Sequence, residues 1–198
     1  MVDTDFFTAG PDAPPDQPFV FSVICRLAHY KRIDVLLRAL ARAFQSQPVH
    51  LNIGGDGKQR AAWEQLAQQL GIAAQVTFLG ALSREAVRDL IRRSHAVVSS
   101  SDVETFGITL IEAMACGKPV ISTRSGGPEL FVTESNGLLV PTGDPAALAE
   151  AMAQLVRDYA RFDPAAIRAS IVARFSEAAF IEQTEQIYQE LVRNYAQA

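Results

Sequence analysis

The chain has 198 residues, nearly half hydrophobic and a fifth charged, which is the usage of a single globular domain with a sizeable core. Its formal net charge of -4 excludes the basic balance that nucleic acid or an anionic membrane surface would call for, so any phosphate site must rest on a few placed cations and backbone amides. The two cysteines and three histidines show no metal spacing, and Cys25 and Cys116, set among apolar residues, read as free buried thiols of a reducing compartment.

In chain order, residues 1–18 predict a linker-like extended segment outside the core. Pro11-Asp12-Ala13-Pro14-Pro15-Asp16-Gln17-Pro18 suits neither helix nor sheet. The acidic, proline-bearing start lacks the basic residues and apolar run of a signal peptide, and no apolar stretch reaches the length of a membrane span. A cytoplasmic location follows as the expectation.

Structure is expected over residues 19–198. Phe19–Cys25 is a short apolar run suited to a strand buried on both faces. Ile33, Leu36, Leu37, Leu40 and Phe44 share one helical face over Arg32–Gln45. His50–Ile53 predicts a strand and Lys58–Leu70 a helix closed by Gly71. Val76–Leu79 predicts a strand, then Arg84–Arg92 a helix capped by Ser83. Strand Ala96–Ser99, helix Gly107–Ala115, strand Val120–Thr123 and, after the Asn136-Gly137 turn, strand Leu138–Val140 follow. Pro145 behind Asp144 opens a helix to about Tyr159, and two more cover Pro164–Ala173 and Ser176–Tyr195. Six short strands separated by helices predict an α/β, Rossmann-like, doubly wound and mostly parallel sheet with helices on both faces.

In such sheets ligands sit beyond the carboxyl ends of the strands, which points to four strand-to-helix loops. After the first strand, Arg26 and Lys31 offer a planar fork and a point charge, a pair suited to a diphosphate. His29 between them reads as a surface residue. After the second, Gly54-Gly55-Asp56-Gly57 permits close backbone approach at a helix start. After the fourth, Glu104 precedes a helix opening at Gly107, whose free amides and dipole form a phosphate seat, and Glu112 lies further along that helix. From Gly107 to Glu112 alone the helix advances about 7–8 Å, so the two glutamates are too far apart to act as a carboxylate pair and instead suit hydroxyls at opposite ends of one ligand. After the fifth, Ser125-Gly126-Gly127 again favours close backbone approach. Each loop alone reads equally well as solvated charge or a plain turn.

Together and in this order, the loops resemble the C-terminal domain of retaining glycosyltransferases of family 4, which have the GT-B fold. The family's E-x7-E motif stands here as Glu104-Thr105-Phe106-Gly107-Ile108-Thr109-Leu110-Ile111-Glu112, continuing to Val120, and Asn136-Gly137-Leu138-Leu139-Val140-Pro141 also matches in position. The resemblance runs from about Val2 to the C-terminus and departs at Cys25, where the family usually has glycine.

It implies that Arg26 and Lys31 bind the donor diphosphate, that Glu104 holds hydroxyls of the transferred sugar, and that Glu112 holds the ribose. Backbone at Phe106, Gly107, Ile108 and Thr109 would face sugar and phosphates. Gly55 and Gly57 would approach the donor, and Ala81 and Leu82, next to Gly80, would meet the base. Arg26, Lys31 and Glu104 are the implied catalytic set, acting electrostatically with no metal and no cofactor, the nucleoside diphosphate sugar being the substrate. The resemblance also implies a missing N-terminal acceptor-binding domain and no nucleic-acid partner. The full-length enzyme would be cytoplasmic or peripheral to a membrane, and this chain alone inactive. The competing reading is a stand-alone nucleotide-sugar-binding module. An NAD-dependent oxidoreductase is disfavoured by cations where its first turn needs glycines, and an epimerase by the E-x7-E context.

Overall fold

The computed structural model describes residues 1–10, 18–45 and 47–196. The elements are β1 (Phe19–Ile24), α1 (Ile33–Phe44), β2 (Val49–Gly54), α2 (Arg60–Gln69), β3 (Val76–Gly80), α3 (Arg84–Arg93), β4 (Ala96–Ser99), α4 (Ile108–Ala115), β5 (Val120–Thr123), β6 (Gly137–Val140), α5 (Pro145–Arg157), α6 (Pro164–Phe175) and α7 (Glu177–Ala196). The strands form one sheet in the order β3-β2-β1-β4-β5-β6, and each neighbouring pair is parallel. The expected α/β sheet is therefore present, with element ends shifted by a residue or two.

The strands are near-continuous apolar runs because both of their faces are covered. Phe21, Leu51, Ile53, Val97 and Ile121 are fully shielded. Helix α1 packs on α2 and α5, while α4 packs on α3 and α6. Right-handed crossovers put these two groups on opposite faces of the sheet. Local chemistry fixes where helices start: Ser83 accepts from the Ala86 amide, Asp144 from Ala146 and Ala147, and Asp163 from Ala165. Pro145 and Pro164 occupy first turns, where no amide partner is needed.

The N-terminal expectation fails in part. Val2 and Phe7 belong to the core, and the Val2 amide donates to the Phe175 carbonyl at 2.8 Å. The Arg168 guanidinium donates to the carbonyls of Thr4 and Phe7, each at 2.7 Å, and also to that of Ala115. The Arg84 guanidinium lies 4.2 Å from the centre of the Phe6 ring. Non-periodic apolar residues thus reach the core because arginines from distant helices satisfy the carbonyls that the turn leaves open. Residues 11–17 of the proline-rich stretch lie outside the described residues.

Chain direction across the sheet reverses between β1 and β4, which are neighbours. The loops leaving these strands diverge to opposite faces and open a crevice at their carboxyl ends. The functional residues collect there.

Candidate donor site

The loop after β1 turns through a short 3-10 segment, His29–Lys31, and enters α1 through Arg32, whose φ of 48° is left-handed. That conformation costs a non-glycine residue roughly 1–2 kcal/mol. The Arg32 guanidinium offsets it by reaching both Asp102 oxygens, at 3.1 and 3.2 Å, and both Asp34 oxygens, at 3.2 and 3.3 Å. Asp102 belongs to the loop after β4, and its amide donates to the Tyr30 carbonyl at 2.8 Å. The Ser100 hydroxyl donates to the Lys31 carbonyl at 2.9 Å. The two loops are held as one unit.

The crevice above them is a cavity of about 270 Å³ whose walls include Cys25, Arg26, Lys31, Glu104, Gly107, Ile108 and Thr109. Lys31 Nζ lies 2.5 Å from Glu104 Oε2, and their side chains are only 14% and 21% exposed. The Ser101 hydroxyl donates to the same oxygen at 3.4 Å. Arg26 is exposed at the cavity, and no side-chain cap covers the start of α4 at Gly107. The Leu110 amide donates to the Gly107 carbonyl at 3.0 Å, so the amides of Ile108 and Thr109, both in the cavity wall, are the ones a ligand there could use. Burial pushes the Cys25 thiol up to about 11, against the pull of the Lys31 charge, so the wall beside Arg26 is a neutral thiol.

Arg26, Lys31, Glu104, Gly107, Ile108 and Thr109 are therefore brought together, while Gly55, Gly57, Ala81, Leu82, Phe106 and Glu112 are not among the residues lining this cavity. The glycines after β2 serve the chain's own backbone. A Cβ on Gly55 would lie 1.9 Å from the Cys25 carbonyl oxygen, and one on Gly57 would lie 2.4 Å from that of Leu27. These two glycines thus let the turn after β2 lie directly against the backbone of the Arg26 loop. The Leu82 side chain packs over Gly54, and Ala81 is exposed. The Phe106 ring turns away to meet Phe131 and Phe175, with centroids 6.2 and 5.6 Å apart.

Glu112 stands further along α4. Burial raises its carboxyl to about 7, opposed only in part by the Arg84 charge. The glycines after β5 also meet backbone: the Glu104 amide donates to the Ser125 carbonyl and the Gly127 amide to the Glu104 carbonyl, each at 2.8 Å. The positioning residues Arg32, Asp102 and Ser100 escaped the sequence reading. The single available signal was an arginine at a helix start followed at two residues by an aspartate. Among the described residues, no three His, Cys, Asp or Glu side chains are placed to hold a metal ion, and no helix is long and apolar enough to cross a membrane.

The model of the glycosyl transferases group 1 family matches residues 6–170. The chain belongs to that family. It is 33% identical over 209 residues to a D-inositol 3-phosphate glycosyltransferase of Corynebacterium jeikeium (strain K411), covering 96% of this chain and 50% of the relative. A sucrose-phosphate synthase from Thermosynechococcus elongatus has a similar structure, with a TM-score of 0.84 and 30% identity over 98% of this chain and 51% of that one. Anabaena HepE in complex with UDP-glucose has a TM-score of 0.82 and 25% identity, covering 96% of this group 1 chain and 56% of HepE. The Rossmann-like fold is thus that of GT-B neighbours, and the chain spans about half the length of the relatives it matches.

Proposed function

We propose that this chain is the donor-binding, C-terminal half of a retaining, metal-independent glycosyltransferase of family 4. The enzyme transfers a hexose from a nucleoside diphosphate sugar to an acceptor held by an N-terminal domain. One observation carries the reading: two cations, a carboxylate and an uncapped helix start converge on one cavity at the sheet's switch point. A diphosphate needs that set of donors, and a sugar needs an acceptor beside it. The UDP-glucose complex of HepE supports a nucleotide sugar as the ligand class.

In this reading Arg26, Lys31 and the α4 amides stabilise the departing diphosphate as its charge grows, so the reaction needs no general acid on that side. Glu104 orients the sugar and Glu112 the ribose. Helix α7 carries Phe180, Ile181, Ile187, Tyr188, Leu191, Val192 and Tyr195 in an exposed apolar stripe, a surface suited to the acceptor-holding domain of this reading. The separate chain binds donor and transfers nothing; in the cell the enzyme is cytoplasmic or membrane-peripheral.

Calorimetric titration with UDP, GDP, ADP and NAD tests the assignment. Binding of one nucleoside diphosphate, weakened in Arg26→Ala and Lys31→Ala, is the expected result. Binding of NAD alone would overturn it, and sugar transfer by the unassisted chain would remove the two-domain part.

A further inference from the structure

Lys31 and Glu104 are each other's partners in the cavity, at 2.5 Å and mostly shielded from water. Both are also the groups that the donor would engage. We propose that this ion pair is a selectivity device, disfavouring a free nucleoside diphosphate relative to the intact nucleotide sugar; the inference rests on the donor-site reading above.

A phosphate that draws Lys31 to itself takes away the main donor to Glu104. The remaining contact, from the Ser101 hydroxyl, is long at 3.4 Å. A shielded carboxylate without donors is costly, and more so beside an anion. An intact donor supplies the remedy, because hydroxyls of its sugar can donate to Glu104 as Lys31 turns to the phosphates. A free nucleoside diphosphate has no such hydroxyls. Its terminal phosphate is an acceptor, carries extra negative charge, and would stand where the sugar would otherwise meet Glu104. The pair therefore opens at low cost only for a ligand that presents phosphate and hydroxyl groups together, and re-closes when the sugar has gone.

Removing the carboxylate frees Lys31. Calorimetry on wild type, Glu104→Gln and Glu104→Ala should use UDP and UDP-glucose, or whichever of the UDP, GDP and ADP pairs wild type binds best. Both variants should bind the free diphosphate more tightly, by roughly tenfold, while the sugar nucleotide gains nothing or weakens. The alanine variant matters because it brings no new donor to the phosphates, and a thermal melt shows whether either variant is folded. Free diphosphate binding that is unchanged or weaker in the folded variants overturns the device while leaving the donor-site reading intact. Failure of wild type to bind any of the nucleotides overturns both.

Discussion

Arg32 Nη1 lies 3.1 and 3.2 Å from the two carboxylate oxygens of Asp102, joining the entrance of α1 to the loop that carries Glu104. The contact crosses the crevice between β1 and β4 and is made by a residue with left-handed backbone. Neither side chain lines the cavity, yet between them they fix the separation of its walls.

Asp102→Ala should therefore cost little stability and disproportionate affinity. A partly exposed ion pair contributes about 1 kcal/mol or less, a fall of roughly 2–4 °C in Tm for a domain of this size. Nucleotide binding should weaken several-fold, because Lys31 and Glu104 lose their common frame. The surface pair Arg60–Glu64, at 2.8 Å, is the control: Glu64→Ala should match the change in Tm and leave binding alone. Equal binding by the two variants would contradict the positioning role.

Gly55 combines a φ of 116° with the carbonyl oxygen of Cys25 lying 1.9 Å from the place of a Cβ. Relief requires the Arg26 loop to move, since backbone rather than a flexible side chain is in the way. Gly55→Ala should destabilise by about 3 kcal/mol or more, measured by urea denaturation. A loss within a few tenths of a kcal/mol would show that the loop yields freely.

The same position shows why only part of the site was legible in the sequence. Strand and helix alternation follows from apolar periodicity, and the spacing of Glu104, Gly107 and Glu112 along one segment is local, so both can be read from residues alone. Gly55 and Gly57 announce close approach without saying to what, and here the partners are Cys25 and Leu27. The Lys31–Glu104 and Arg32–Asp102 pairs join residues about seventy positions apart, brought together by the β1–β4 neighbourhood. Val2 and Phe7 carry no periodic signal, and the partners of their turn, Phe175 for the Val2 amide and Arg168 for the Phe7 carbonyl, lie more than 160 residues away. Distant partners of this kind become visible only once the topology is known.

Glu112 supplies a test in pH. Its carboxyl, raised by burial to about 7 from 4.5, keeps its proton in the folded protein at pH values where the unfolded chain has released it. The folded state then binds more protons, so this group's contribution to stability is complete below pH 4.5, falls as pH rises towards 7, and is lost above that. Glu112→Gln removes the titration. The Tm advantage of the glutamine variant over wild type should grow between pH 4.5 and 7 and level off beyond pH 8. Donor binding should move the opposite way if the charged carboxylate accepts from ribose hydroxyls. UDP-glucose is the right probe, because its diphosphate is esterified at both ends and takes up no proton near neutrality. Wild-type affinity should rise as pH passes from 6 to 8, by up to about tenfold per unit below the carboxyl's pKa, while Glu112→Gln stays flat. A flat wild-type profile alongside the predicted Tm difference would leave Glu112 buried and titrating but remove it from the ribose.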